Sequence, residues 1–383
     1  MSDVPDGRPP VGTSAAVPRS TEGQRALAST IEAPTTRVSA RVGSPLVSIC
    51  IPSYNGAPWI VEAIESALAQ DYQRHEIIVC DDASSDETVA MAREFGDPRL
   101  RVLANQVRVG MARNWNRCVR ASNGDYVKLL MQDDRLASTC VRRMLDVMDA
   151  HPDVGLVFSP REVQLDDPND PESSLWKERF GVLHASFGPL SLVNDGRAMF
   201  DRLRDGQFRH NGIGEPTVVM VRRRALIRVG LFNVRLRQLT DLELWLRIAF
   251  FHDIGFVPDA LATFRVHRRS VTAANERTGA GWLDRVWLLE GLRAHPEIRA
   301  ALGSTTEALI WFDILRSTGK RLIGKRAGTM PSQTADLRNY LRFRLGRDRR
   351  PLHEVLMADR NGEARLGATR AGSGADTGAH DDP

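Results

Sequence analysis

Three polar clusters in this chain each follow an apolar run. PSYNG (Pro52–Gly56) comes after LVSICI, DDASSD (Asp81–Asp86) after HEIIVC, and QDD (Gln132–Asp134) after DYVKLLM. Side by side, Asp133 and Asp134 repel, and each raises the other's pKa unless a positive partner lies near. A divalent cation bridging a diphosphate would be such a partner, because hard cations take carboxylate oxygens. A carboxylate at Asp81 or Asp82 can accept the imide N–H of uracil or thymine. PSYNG brings a hydroxyl, an aromatic ring and an amide ahead of a helix start, which suits a nucleoside and its phosphate. Taken singly, each cluster also reads as a turn or a helix cap, and capping accounts for Ser85 and Asp86. Repetition at the ends of the first, second and fourth strands favours one shared site over three unrelated turns.

The elements that must position these clusters alternate in period. LVSICI (46–51) reads as a strand, followed by Trp59, Ile60, Ala63, Ile64, Ala67 and Leu68 at helical spacing. Next come the strand HEIIVC (75–80), a helix from about Asp86 to Phe95 opened by SSDET, and the strand RLRVL (99–103). A helix over Met111–Ala121 leads to the strand DYVKLLM (125–131), and a helix over Ser138–Ala150 to VGLVFS (154–159). Residues 161–195 are less regular, with DDPNDPESS marking a loop. The strand TVVMV (217–221), a helix start RRRALIRVG and the amphipathic helix DLELWLRIAFF (241–251) follow. This series predicts an α/β fold with a Rossmann-like, mostly parallel sheet flanked by helices. In such sheets ligands bind at the carboxyl ends of strands, where all three clusters fall.

Composition narrows the function classes. The chain has 383 residues, 42% of them apolar and 26% charged, enough for a sizeable core. Cys50, Cys80, Cys118 and Cys140 are too widely spaced for a CxxC pair and read as reduced core residues of a cytosolic protein. The N-terminus lacks an apolar signal region and no run of 18 apolar residues occurs, which disfavours secretion and membrane spanning. No G-x-G-x-x-G follows Ile51, and STGKRLIGKR lacks P-loop spacing. Residues 1–44 and 358–383 have the composition of disordered tails. Between Arg316 and Arg350 eleven Lys or Arg stand against Asp336 and Asp348, interleaved with Leu322, Ile323, Leu337, Tyr340, Leu341 and Phe343. Such a stretch suits docking on an anionic bilayer, and equally a solvated helical face.

VSICIPSYNGAPWIVEAIESALAQDYQRHEIIVCDDASSDET resembles the opening, nucleotide-binding half of the family 2 glycosyltransferases, which have the GT-A fold. GMARNWNRCVRASNGDYVKLLMQDD resembles their second part, ending in a DXD-type metal motif in which Gln132 replaces the first acid. The resemblance runs from about Val47 to Thr272. It implies a GT-A domain over 45–275, with a nucleotide half (45–135) and an acceptor half (136–275); beyond it the basic, apolar-interleaved pattern reads as a helical C-terminal extension over 276–357. It further implies that Pro52, Ser53 and Tyr54 line the base and ribose, that Asp82 holds the pyrimidine, and that Asn116 belongs to the nucleotide site. Asp133 would contact ribose or metal, with Asp134 the direct metal ligand.

LTDLELWLRI resembles the family segment carrying the catalytic base, here Asp241, with Thr240 standing where the family often has Glu. Leu242, Trp245, Leu246 and Ala249 share one face, so the helix is anchored while Asp241 opens its first turn. Glu243 reads as a helper or a surface acid. In FRVHRRS, His267 would ligate the metal or meet the diphosphate, while Arg265 and Arg268 would neutralise the leaving group. NGIGEPTVVMVRRR resembles the acceptor-side loop, with Glu215 bonding an acceptor hydroxyl. The implied activity is inverting transfer, dependent on Mg²⁺ or Mn²⁺, from a nucleoside-diphosphate sugar to a saccharide or lipid-linked hydroxyl, with UDP- or dTDP-sugars favoured. It would serve cell-surface polysaccharide or glycolipid synthesis, in the cytoplasm or peripherally at the inner face of the plasma membrane, and without nucleic acid. A sugar-nucleotide nucleotidyltransferase and a non-catalytic sugar-nucleotide or membrane-surface binder remain as alternatives, the latter because of Gln132 and Thr240.

Overall fold

A computed structural model describes residues 43–354, apart from 209, 279–280, 304–307, 310, 313, 317–329 and 349–350. The two expected tails, save residues 43 and 44, lie outside these residues. So do Lys320, Arg321, Lys325, Arg326, Arg349 and Arg350 of the basic stretch.

Wholly buried β-branched runs make the centre of the sheet. Its strands are β1 (Val47–Ser53), β2 (His75–Asp81), β3 (Leu100–Ala104), β4 (Tyr126–Leu129), β6 (Val154–Phe158), β8 (Val193–Asn194), β9 (Val219–Arg222) and β10 (Asp253–Phe256). They lie in the order β3-β2-β1-β4-β9-β6-β10-β8. All run one way except β9, antiparallel between β4 and β6, and the short edge strand β8. The mostly parallel α/β architecture is as the alternating periods predict. In β1 the register Ser53↔Asp81 extends the strand past LVSICI, so Pro52 and Ser53 are its last residues.

A second sheet, not expected from the sequence, orders β5 (Arg135–Leu136), β11 (Ala262–Val266) and β7 (Arg161–Leu165). It carries the chain straight from the QDD segment to a strand that returns beside it. The loop expected at DDPNDPESS is half helix. Asp170 caps it by accepting from the Ser173 N–H at 3.3 Å, with Pro171 at the first helical position.

Helices α1 (Ile60–Leu68), α2 (Thr88–Glu94), α3 (Met111–Ala121) and α4 (Cys140–Ala150) connect the strands of the first half. After them come α5 (Pro171–Phe180), α6 (Gly196–Asp205), α7 (Arg223–Val229) and α8 (Thr240–Phe251). The C-terminal part adds α9 (Val271–Thr278), α10 (Asp284–Arg293), α11 (Pro296–Leu302) and α12 (Met330–Arg344). α8 is buried on nearly every side, beyond the single apolar face its spacing predicts, because α6, α7 and α10 all pack on it. The four cysteines are free and buried. No helix among the described residues is long and apolar enough to cross a membrane.

Candidate active site

The ends of β1 and β2 form the first wall. Ser53 Oγ donates to Asp81 Oδ1 at 3.0 Å, and Asp81 Oδ2 accepts the Ser84 N–H at 2.8 Å, so Asp81 is consumed in shaping the turn. Asp82 accepts from Asn105 Nδ2 at 2.9 Å, Val109 N at 2.7 Å and Gly110 N at 2.9 Å. A carboxylate offers about four acceptor positions, so one remains for a further donor. Gly110 sits at φ 93°, a conformation open to glycine, and this turn lets its N–H join that of Val109 on one carboxylate. The Arg108 guanidinium lies 3.9 Å from the centre of the Tyr54 ring.

Asn116 does not join this wall. Its amide is exchanged with the backbone of Phe232, Nδ2 donating to the carbonyl at 3.0 Å and Oδ1 accepting the N–H at 2.9 Å. The amide at the strand ends is Asn114, whose Nδ2 donates to the Cys80 carbonyl at 2.6 Å. Two positions on a helix are about 200° apart, so only one of these side chains can face the sheet's end.

The acid pair is divided. Asp134 is 2% exposed, with Oδ2 accepting from the Thr217 hydroxyl at 2.5 Å and Oδ1 from the Arg265 N–H at 2.9 Å. Burial, then the neighbouring Asp133 charge, push its carboxyl well above the usual range. Asp133 remains half-exposed, and its Oδ2 lies 2.9 Å from His267 Nε2. The structure thus turns Asp133, rather than Asp134, toward the open site, and makes Asp134 a tie between β4, Thr217 and β11. Arg265 is no free countercharge either. Its guanidinium meets Glu62 at 2.7 Å, Asp166 at 3.1 Å and the Asp133 carbonyl at 3.1 Å. Arg268 pairs with Asp170 at 2.7 Å.

Among the described residues no group of three or more His, Cys, Asp or Glu side chains could hold a metal ion. Asp133 and His267 supply one carboxylate and one imidazole, and His267 Nδ1 is buried without a partner. This donor pair fits an oxygen-preferring divalent cation that fills its remaining positions with phosphate oxygens or water. Gln132 takes no part in it. Its Oε1 accepts the Tyr54 N–H at 2.8 Å and its Nε2 donates to the Tyr54 carbonyl at 3.1 Å. A side chain at Gly56 would collide with it, as a Cβ there would stand 2.2 Å from Gln132 Oε1.

Asp241 lies in the first turn of α8. Asn211 Nδ2 donates to its Oδ2 at 3.0 Å and the Leu242 N–H to its Oδ1 at 2.7 Å. Burial pushes this carboxyl up to about 7, against those two donors and with the like charge of Glu215 adding to the rise. The loop is pinned to the helix by Trp245, whose indole N–H donates to the Gly214 carbonyl at 3.0 Å.

Glu215 pairs with the buried Arg161, at 2.9 Å for Nη2–Oε1 and 2.9 Å for Nε–Oε2. Glu243 is neither helper nor surface acid. It is wholly buried in an ion pair with Arg247 at 2.8 Å and meets His353 Nε2 at 2.8 Å. Burial alone would raise its pKa, but Arg247 and His353 outweigh it and hold the carboxyl at about 2.

A family model for glycosyl transferase family 2 matches residues 48–230. An uncharacterized protein of Mycobacterium tuberculosis is 35% identical over 263 residues, which cover 68% of this chain and 79% of that one. The chain belongs to glycosyltransferase family 2. This glycosyltransferase is also 40% identical over 89 residues to the UDP-Glc:alpha-D-GlcNAc-diphosphoundecaprenol beta-1,3-glucosyltransferase WfgD of Escherichia coli, 23% of this chain and 35% of that one. Its fold is similar to that of S. aureus TarS in complex with UDP-GlcNAc, with TM-score 0.54 at 16% identity over 78% of this chain and 81% of that one.

Three residues that tie these strand ends together carry no motif. Thr217 accepts the Met131 N–H at 3.0 Å while orienting Asp134. Lys128, wholly buried in β4, donates to the carbonyls of Leu129 at 3.1 Å, Val219 at 3.3 Å and Thr217. It fixes β4 to the segment that carries Thr217. A lysine inside an otherwise apolar strand was the available signal, since such a group must find acceptors. Asn114 had the same signal as Asn116 and no way to be preferred.

Proposed function

We propose that this glycosyltransferase moves a sugar, with inversion, from a nucleoside-diphosphate sugar to an acceptor hydroxyl in a single displacement, with Asp241 as the base. The observation that carries this reading is a carboxyl pushed up to about 7 in the first turn of α8, steadied by Asn211 of the facing loop. A base with a pKa near the working pH combines a useful ionised fraction with a strong pull on the proton. The acceptor oxygen forms its bond to the anomeric carbon while the bond from that carbon to the phosphate oxygen breaks. The diphosphate leaves with the electron pair and the hydroxyl proton passes to Asp241.

Asp133 and His267 would hold a divalent cation, Mg²⁺ or Mn²⁺, which when bound supplies positive charge to the departing diphosphate. Asp82, with one acceptor position open, takes the imide N–H of the base, and Pro52, Ser53 and Tyr54 frame base and ribose. A uridine donor is favoured because WfgD is named for UDP-Glc and the TarS structure contains UDP-GlcNAc. The WfgD name also supports a lipid-linked saccharide acceptor. Arg338, Leu341, Arg342 and Leu345 are exposed at helical spacing on α12 and its end, which supports contact with an anionic bilayer at the cytoplasmic face. Glu215 meets an acceptor hydroxyl through whatever acceptor capacity Arg161 leaves it.

Transfer or hydrolysis from UDP-, dTDP- and GDP-sugars with and without Mn²⁺, with the anomeric configuration of the product read by NMR, tests the reading. Inverted product that disappears with Asp241→Asn, and loss of donor turnover with Asp133→Asn, are expected. Retention of configuration, or an undiminished Asp241→Asn enzyme, would overturn it.

A further inference from the structure

The family match ends at residue 230, before α8 begins, and the far side of α8 is covered by the C-terminal extension. α8 starts poorly on its own. Leu239 occupies the cap position and supplies no capping side chain, Asp241 accepts the N–H of its neighbour Leu242, and the buried Thr240 hydroxyl has no partner. A helix start needs acceptors for its free N–H groups, and leucine supplies none.

We propose that Asp284 of the extension is a positioning residue that holds the backbone leading into α8 and thereby the place of Asp241. Asp284 is 3% exposed, and its Oδ2 accepts three consecutive backbone N–H groups, Arg237 at 3.0 Å, Gln238 at 2.5 Å and Leu239 at 2.9 Å. Asp241 follows two residues later. A carboxylate at this end also meets the positive pole of the helix dipole.

The approach of the two elements is close by construction. Gly281 takes φ 78°, and a Cβ there would stand 3.2 Å from Gln238 Cβ and 3.3 Å from Asp284 Cγ. On α10, a Cβ at Gly291 would meet Glu243 Oε1 at 2.4 Å and Asn233 Nδ2 at 2.8 Å, so no side chain fits between α10 and α8. One turn further on, His353 grips α8 a second time through Glu243 at 2.8 Å. Two side chains from beyond the matched region thus hold the first turns of the helix that bears Asp241. The extension is a brace for the active site, whatever else its exposed face meets.

The link to catalysis rests on the reading of Asp241 as the base; the brace itself does not. Hydrogen exchange of the full-length protein, followed by mass spectrometry without substrate, reads the brace. Asp284→Ala is expected to speed exchange at least tenfold in peptides covering 237–243 and to leave those of β1 and β4 unchanged. Turnover then reads the link. With the donor that the wild type uses, Asp284→Ala is expected to lower kcat at least tenfold with donor KM within twofold, and Asp284→Asn, which keeps an acceptor oxygen, to recover most of it.

Tyr340→Phe, which removes a 3.0 Å bond to Glu290 elsewhere in the extension, is the control for general destabilisation and should leave kcat unchanged. Unchanged exchange at 237–243 in Asp284→Ala overturns the brace. Local opening with unchanged kcat, or equal kcat losses in Tyr340→Phe, overturns the link to Asp241. Local opening in a protein whose wild type turns over no donor would sustain the brace and reject the proposed function.

Discussion

Replacing Gln132 by Glu is the sharpest test of how the nucleotide loop is held. Gln132 makes two bonds to Tyr54, accepting its N–H at 2.8 Å and donating to its carbonyl at 3.1 Å. Gln132→Glu keeps the shape and the first bond. The second becomes oxygen facing oxygen, and the added charge adjoins Asp133. A lost neutral hydrogen bond costs about 1 kcal/mol, and a partner left facing a like group raises the cost to about 1–3 kcal/mol.

Tyr54 lies just past the end of β1, so its loop can yield while the sheet stays folded, and this cost appears as a smaller fraction of binding-competent protein. The apparent Kd rises by the same factor. At 1.4 kcal/mol per decade the expected loss of nucleotide affinity is about 5- to 150-fold. Calorimetric titration with the nucleoside diphosphate that the wild type binds, alongside a melting curve, measures both terms. Gln132→Ala, which leaves both Tyr54 groups to water, should lose less than Gln132→Glu. Affinity within twofold of wild type in Gln132→Glu would refute the reasoning.

Other substitutions follow from the same geometry. Asn114→Ala should weaken nucleotide binding, while Asn116→Ala should lower the melting temperature and spare binding; binding lost with Asn116→Ala and spared with Asn114→Ala would restore Asn116 to the site. Glu243 is held at about 2 against an ordinary value of 4.5, so its contribution is present above pH 4.5 and is lost as pH falls toward 2. That contribution is on the order of 3 kcal/mol. Acid unfolding should therefore be much shallower over that window in an Arg247→Met/Glu243→Leu double variant than in wild type. Anionic vesicles of phosphatidylglycerol should co-sediment the protein in low salt, and Leu341→Ser/Leu345→Ser should reduce the bound fraction severalfold; equal sedimentation with neutral phosphatidylcholine would count against the membrane contact.

The main sheet was legible because β1, β2, β4 and β6 are short apolar runs separated by helix-period segments. The second sheet was not, because β5 has two residues and β7 and β11 are half-buried strands without clean alternation. Nothing local announces that β9 slots antiparallel between β4 and β6, since pairing order depends on contacts across the chain. In the site, residue type and strand-end position located the clusters, but side-chain direction decided their roles. Asp133 and Asp134 are chemically alike, and only the distant Thr217 and Arg265 draw the second inward. Glu215 and Glu243 look like free acids in their motifs, yet each meets an arginine, Arg161 or Arg247, that the motif does not tie to it. Gln132 looked like a defect in a metal motif and is a backbone clamp.

The pH dependence of kcat/KM tests Asp241 as the base most directly. Asp241 must be ionised to take the acceptor's proton, and its carboxyl is held at about 7. At limiting substrate, kcat/KM should fall about tenfold per pH unit below roughly 7 and level above it. Asp241→Asn should remove that limb and lower the plateau by about 10²–10⁴. An acidic limb that persists unchanged in Asp241→Asn, or a plateau within threefold of wild type, would contradict the account.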